Sequence, residues 1–452
     1  MKYLIFFMFA CCLFSTAGYA QQPKCGAQLI KEAAIARNPD MANRFLSIKT
    51  SQMQQAAAYS QSKNNAALQK TTSIGTIPVI FHIVLDAAQL NQIGGTAGVA
   101  QRVDSQMAVI NRDFNAQNGD SSLIPAAFKP LYGNVGISFG LAHRTPSGAS
   151  TPGYEIITTT AVGFSDPNSS YSTAKHSSSN GADIWDPTSY LNVWVINPLG
   201  ANGLLGVTVP SSFIYQAMAF PATEQGIVLN YGAFGVQVGS MYFINNITLG
   251  RTLTHELGHF FEIWHVWGDD NGACPPPGAG QDDGIADTPP QADATYGCPN
   301  FPTTDSCSKV SPGIMFMNYM DYTDDGCMHL FTKGQVNSMT PNVLLGGENY
   351  PLTTHPEILT YPASISSLEL LYPLTITPNP SYGNINVYFT ALPPSLKDII
   401  VLNMLGEIVW QGNKSNFNDN NLNINLNGLS KGLYFVQCRL QEGNITRRII
   451  LQ

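Results

Sequence analysis

Residues 251–267 read RTLTHELGHFFEIWHVW. Within this run His255 and His259 are four positions apart, and Glu256 stands beside the first. On a helix, positions i and i+4 lie one above the other on a single face, so two such imidazoles can share one zinc ion. Zinc lowers the pKa of a bound water to around 7, which makes a nucleophile at neutral pH. Glu256 is placed to take that water's proton and pass it on to a leaving amine. A third ligand decides the class. No glutamate occurs between Glu262 and Glu348, which argues against a helix that runs on to a distant Glu ligand. His265, six residues past His259, instead suggests a helix that ends and turns back to the same ion. A purely structural His265, or Asp269 as the third ligand, are the alternatives.

Three further groups carry possible chemistry. The run MFMNYMDYTDDGCMHLFT (315–332) contains Met320 and Tyr322; a loop methionine standing alone would be read as filler. In QDDGIADTPPQ (281–291), the carboxylates Asp283 and Asp287 and the Thr288 hydroxyl form a hard oxygen set suited to calcium, or else a solvated acidic loop. Cysteines are the third group. Cys11 and Cys12 lie in the apolar leader, while Cys274, Cys298, Cys307 and Cys327 cluster downstream with no CxxC pair. In an exported protein such a cluster reads as two disulfides, with three pairings possible. Cys25, in QPKCGAQL, offers a soft thiolate that could cover the metal and hold the protein latent. A lone thiol or a disulfide with Cys438 are the other readings.

At this point the sequence resembles the metzincin metalloproteases, whose long motif is HExxHxxGxxH followed by a methionine turn. NYMDY, with DTP-Q, GCP and DSC in order before it, is similar to the pappalysin family within them. The likeness covers about residues 77–345. It implies an α+β catalytic domain: a twisted mixed sheet, an active-site helix and a loop-rich C-terminal subdomain. It further implies that Met320 floors the zinc site and that Tyr322 hydrogen-bonds the tetrahedral intermediate. The pairs Cys274–Cys307 and Cys298–Cys327, and a calcium ion near Asp283, Asp287 and Thr288, come by the same resemblance. One position departs from the pattern: Glu262 stands where the family normally has Gly. A left-handed backbone there would cost a non-Gly residue roughly 1–2 kcal/mol.

The elements that must position these groups follow from periodicity. IPVIFHIVL (77–85), VGISFGLA (135–142), YLNVWVIN (190–197) and GIVLNYGAFG (226–235) read as strands. The last lies just before the HExxH helix and is the candidate to pair with an extended peptide. Val99, Val103, Met107, Ile110 and Phe114 recur at helical spacing over 98–114. Residues 21–76 are polar and Ala-rich, helical in part (KEAAIARNPDMANRFL) and otherwise flexible. Residues 268–313 read as a long loop region that needs staples. After about residue 372 the runs INVYF, IIVLNML, LNINL, LYFVQC and TRRIIL suggest a small all-β sandwich. This tail resembles the C-terminal sorting domain of the type IX secretion system, which implies that machinery as a partner.

The chain has 452 residues, 44% hydrophobic and only 12% charged, which excludes disorder throughout. Its formal charge of −8 argues against nucleic acid as the main partner. Residues 1–20 read as a secretory signal peptide cleaved after Ala20, with no further run long enough to span a bilayer. The expected plan is therefore signal peptide (1–20), pro-segment (21–76), zinc metalloprotease domain (77–345), linker (346–372) and sorting domain (373–452). Residues 21–71 carry seven Lys and Arg against two acidic residues, whereas 72–350 carry eight against twenty-two. That split suits a basic pro-segment docked on an acidic enzyme, with Arg37, Arg44, Lys49, Lys63 and Lys70 as maturation candidates. It also suggests a liking for basic peptides. The reading is a secreted or surface endopeptidase acting on protein or peptide substrates. A zinc-bearing adhesin that has lost catalysis is the alternative, though Glu256 is present.

Overall fold

All nine residues of β1 (Ile77–Leu85) are buried, because layers cover both faces of the sheet to which it belongs. The computed structural model describes residues 24–62, 74–200, 203–212, 220–269, 272–274, 283–362, 372–441 and 443–452. The expected signal peptide lies outside them, as do Lys63 and Lys70. The chain divides into two units, 1–360 and 361–452.

The first unit opens with two helices, α1 (Ala27–Arg37) and α2 (Met41–Ser62), so helix extends well beyond the stretch expected from the sequence. Phe45 and Ile48 are buried, which anchors a helix whose polar composition alone would not hold it. After β1 come α3 (Ala87–Gln92) and α4 (Gly95–Phe114). The sheet continues with β2 (Phe139–Leu141), β3 (Tyr154–Thr158), β4 (Leu191–Ile196), β5 (Gly206–Val209) and β6 (Gly226–Asn230). Strand order is β2-β1-β4-β6-β5, with β3 also paired to β1. All pairings are parallel except that of β5 with β6.

This corrects one expectation. GIVLN is an interior strand, and the edge next to the HExxH helix is the four-residue β5, which the sequence reading passed over. The strand expected over 135–142 is likewise confined to three residues.

Side chains alternate across the sheet. Ile77, Val79, Phe81, Ile83, Val193, Val195, Ile227 and Leu229 face α4 and α5 (Arg251–Phe260) in one core. Val84, Trp194, Ile196, Val207, Val209 and Val228 face the opposite way, where Ile30, Ala34, Phe45 and Ile48 of α1 and α2 complete the cluster. The N-terminal helices are thus part of a hydrophobic core. The unit ends with α6 (Lys333–Val343) and 3₁₀ turns. Leu352 of that last stretch enters the main core, and Ile358 packs with Ile80, Ala142 and Tyr190, so this half of the expected linker is built into the unit.

The second unit holds two antiparallel sheets. One has the order β10 (Ile408–Asn413), β9 (Leu396–Leu402), β12 (Gly432–Leu440), β13 (Asn444–Leu451). The other has the order β11 (Asn421–Asn425), β8 (Asn384–Phe389), β7 (Leu374–Thr377). Alternating residues such as Val387, Val401, Ile424, Val436 and Ile449 form its core, and Cys438 is buried among them. No helix among the described residues is long and apolar enough to cross a membrane.

Candidate metal centre

Helix α5 carries the HExxH, and every one of its residues is buried. Arg251 in its first turn pairs with Asp113 of α4 at 3.0 Å and with Asp120 at 3.1 Å. Thr254 Oγ1 donates to Asp113 Oδ2 at 2.7 Å, so α4 fixes the roll of α5. The helix stops after Phe260. Ile263 N–H then bonds the Gly258 carbonyl at 3.0 Å, and Glu262 N–H bonds the His259 carbonyl at 2.9 Å. These two bonds form a Schellman cap, whose turning residue is usually glycine. Here it is Glu262 at φ 72°, so the left-handed bend is kept at a cost of roughly 1–2 kcal/mol.

That bend returns His265 to the helix. Its Nε2 lies 3.3 Å from His255 Nε2 and 3.0 Å from His259 Nε2. The other ring nitrogens are all engaged: His255 Nδ1 with the Tyr319 carbonyl at 2.7 Å, His259 Nδ1 with the Ile263 carbonyl at 2.9 Å, and His265 Nδ1 with Asp269 Oδ1 at 2.8 Å. A carbonyl only accepts, so the protons of His255 and His259 sit on Nδ1. Burial first, then the neighbouring His265, pushes His255 down to about 3 and lowers His259 likewise, which keeps both rings neutral. The bare Nε2 lone pairs of His255 and His259 thus both point toward His265 Nε2 at about 3 Å, a convergence that a cation can fill. Tetrahedral zinc with nitrogens at 2.0–2.1 Å would separate them by about 3.3 Å. Cys25 Sγ completes the set, with its sulfur and the three ring nitrogens all within 4.8 Å of one another. This donor set fits zinc. Asp269, the rival ligand, acts instead on the outer nitrogen of His265. Burial opposes its ionisation, but His265 prevails and holds its carboxyl down to about 2.

Glu256 is fully buried beside this centre. The Thr208 hydroxyl of β5 donates to its Oε2 at 2.6 Å. Burial pushes its carboxyl up to about 7 against the opposing bonds from Thr208 and Cys25. Gly206 of β5 passes so close that a Cβ there would meet Glu256 Oε1 at 2.6 Å.

The second half of the site is pinned by side chains of its own segment. Asn318 Oδ1 accepts from Met320 N at 2.9 Å, while its amide bonds Gln335 of α6 at 2.9 Å. Asp321 accepts from the backbone N–H of Tyr322 and Thr295 at 2.7 and 2.8 Å, and from Gln291 at 2.9 Å. Met320 lies under α5, against Gly258, where any Cβ would strike its sulfur. The Tyr322 ring stands edge-on to His265 at 5.0 Å, and its hydroxyl donates to the Cys25 carbonyl at 3.1 Å. The disulfides are Cys274–Cys307 and Cys298–Cys327; Cys25 and Cys438 are both unbridged, so the alternative pairing of those two does not occur.

The N-terminal segment runs through the centre. Cys25 pairs with Gly206 in parallel, Gly26 N–H bonds the Gly206 carbonyl at 2.9 Å, and Leu205 N–H bonds the Lys24 carbonyl at 2.7 Å. The Lys24 ammonium reaches Asp324 at 2.9 Å. Of the oxygen set, Asp283 accepts from Thr288 Oγ1 at 2.7 Å and from Ile285 N at 2.9 Å. Asp287 turns away to the start of α6, accepting from Thr332 Oγ1 at 2.6 Å and Gly334 N at 2.8 Å. Sequence reasoning missed Thr208, Gly206 and the orienting part of Asp269. Only the β-branched run GVTV hinted at the first two.

Comparisons with known proteins agree with this geometry. Residues 175–344 match the family described as pregnancy-associated plasma protein-A, and residues 375–452 match a secretion system C-terminal sorting domain. An extracellular metalloprotease of Arthroderma gypseum is 30% identical over 284 residues, 62% of this chain and 76% of that protein. Another, from Arthroderma otae, is 38% identical over 153 residues, 33% of this chain and about half (49%) of its own length. Mature mirolysin of Tannerella forsythia, solved with a cleaved peptide, is 38% identical; the match covers 64% of this chain and 99% of that one, with a TM-score of 0.57. A promirolysin mutant from the same organism is 34% identical over 75% of this chain and 100% of its own, with a TM-score of 0.61. The chain belongs to the pappalysin family of metalloendopeptidases, with a type IX sorting domain at its C-terminus for export to the cell surface or beyond.

Proposed function

We propose that the protein is a zinc endopeptidase made latent, with His255, His259 and His265 holding the metal and Cys25 covering it. The observation that carries this reading is the convergence of three Nε2 atoms and one thiol on a single buried point. Burial and the Glu256 charge push the Cys25 thiol up; a cation at that point is what would turn it into a thiolate ligand.

Zinc supplies a polarised water and a Lewis acid for the scissile carbonyl. The chain's own groups do the rest. Glu256, buried beside the centre, takes the proton from the attacking water and delivers it to the leaving amine nitrogen. The Tyr322 hydroxyl donates to the carbonyl oxygen as negative charge builds there. Met320 holds α5 from below. The edge of β5, which now bonds Lys24 and Gly26, is freed to pair with an extended substrate.

In this reading residues 1–20 are a signal peptide, 21–76 the pro-segment and 77–345 the catalytic domain. Release follows cleavage among Arg37, Arg44, Lys49, Lys63 and Lys70. The tail hands the protein to the type IX machinery. A calcium ion at the loop 283–288 remains part of the reading on the chemistry of Asp283, Asp287 and Thr288, although Asp283 already accepts from Ile285 N and Thr288 Oγ1 and both oxygens of Asp287 serve α6. The test is casein cleavage by purified protein, with and without chelator, beside a measurement of bound metal. One zinc per chain and chelator-sensitive cleavage are expected. Chelator-resistant cleavage, or protein without stoichiometric zinc, overturns the reading.

A further inference from the structure

The sheet β11-β8-β7 of the second unit turns an uncharged, amide-rich face to solvent. Along β8 the side chains of Ile385, Val387 and Phe389 enter the core, so Asn384, Asn386 and Tyr388 point the other way. Leu422 and Ile424 enter the core from β11, which turns Asn421, Asn423 and Asn425 outward. Strand pairing lines these groups up. One row across the strands is Asn421, Tyr388 and Thr375; the next is Asn423, Asn386 and Thr377. Asn425 beside Asn384 makes a third. Such rows repeat about every 6.8 Å along the strands, with neighbours about 4.8 Å apart across them.

Asparagine is a poor strand former, so rows of asparagine paired with asparagine do not serve the stability of the sheet. Their amides are also largely unspent within the described chain. Only Asn425 uses its oxygen there, accepting from Asn427 N–H at 2.9 Å, while Asn386 Oδ1 is shielded from solvent without a partner. No Lys, Arg, Asp or Glu stands on β7, β8 or β11. The other sheet of the unit, by contrast, holds Lys397, Arg447, Arg448 and the Asp398–Arg439 ion pair. Protein surface ordinarily mixes charges of both signs, so their exclusion from one face is a chemical selection. One ring stands in the face: Tyr388, on the middle strand, is 44% exposed.

We infer that this face is a binding site for a neutral polysaccharide. Sugar hydroxyls both donate and accept, as a primary amide does, and the C–H face of a sugar ring packs on an exposed aromatic ring. A basic peptide or an anionic polymer finds no opposite charge here, and a protein partner finds no apolar anchor beyond one tyrosine. The inference concerns the second unit alone, which is matched only as a sorting domain, and it stands whether or not the metal centre is catalytic.

The test is affinity electrophoresis of the full-length protein through gels cast with mannan, dextran, xylan, laminarin or galactan, with alginate as the anionic control. Retardation by at least one neutral polysaccharide and none by alginate is expected, unchanged by chelator. Tyr388→Ala should weaken the binding about tenfold. The double variant Asn386→Thr, Asn423→Thr should weaken it by a similar factor while Tm holds or rises, because Thr suits a strand better than Asn. A fall in binding without a fall in stability separates a ligand role from a structural one. No retardation in any neutral gel, retardation by alginate to the same extent or more, or equal retardation of the wild type and both variants overturns the inference.

Discussion

The Tyr322 hydroxyl donates to the main-chain carbonyl of Cys25 at 3.1 Å. The donor proposed to stabilise a substrate's oxyanion is thus spent on a pro-segment carbonyl. Tyr322→Phe should lower kcat of the mature enzyme by about ten- to a few hundredfold with little change in KM, since the bond strengthens as charge develops. Steady-state kinetics on one peptide decides this; a change confined to KM would assign Tyr322 to ground-state binding.

Cys25→Ala removes the thiol but keeps the β5 contacts of Lys24 and Gly26, which are main-chain bonds. The full-length variant should cleave casein before any pro-segment is lost. Equal silence from both proteins would show that the pro-segment's seat on β5 and its α1 and α2 cover, rather than the thiol, enforce latency.

Asp269 orients His265 from the side away from the metal at 2.8 Å. Asp269→Ala should weaken zinc binding by about 10- to 100-fold, read by competition with a chromophoric chelator. Zinc affinity equal to wild type would mean the ring is held by its stacking on Trp267 alone.

Burial and the nearby Glu348 raise the Glu262 carboxyl above the ordinary range. A carboxyl raised in the docked state stabilises docking most fully below its free value and loses that contribution as pH rises through the raised one. The α2 cover should therefore loosen as pH climbs from about 5 toward 8. Autoprocessing rates should rise across that window in the wild type and rise less in Glu262→Gln; parallel profiles would refute the coupling.

Gly258 lies against the Met320 sulfur with no room for a Cβ. Gly258→Ala, despite its better helix propensity, should destabilise the catalytic unit by about 1–3 kcal/mol through overpacking. Thermal unfolding is the measurement, and an unchanged Tm would place Met320 away from its floor position.

Much of this was legible from residue types alone. Spacing marked His255, Glu256 and His259 as one helix face, because a 3.6-residue period is a local property of the chain. The bend at Glu262 could be anticipated from the position of His265, and it occurs with the left-handed φ that a returning chain needs. Strand β1 and helix α4 announced themselves by burial patterns that depend on near neighbours. Other features were decided by tertiary structure. The pairing edge is β5 rather than GIVLN, because sheet order is set by which strands meet across long intervals of chain, not by how apolar each one is. The first half of helix α2 is held because Met41, Phe45 and Ile48 find core partners in the opposite face of the sheet. Asp269 became the orienting partner of His265, and Asp287 a support for α6, only once the loops brought particular hydrogen-bond donors within reach. Distance between atoms far apart in sequence is the quantity that composition and periodicity do not contain.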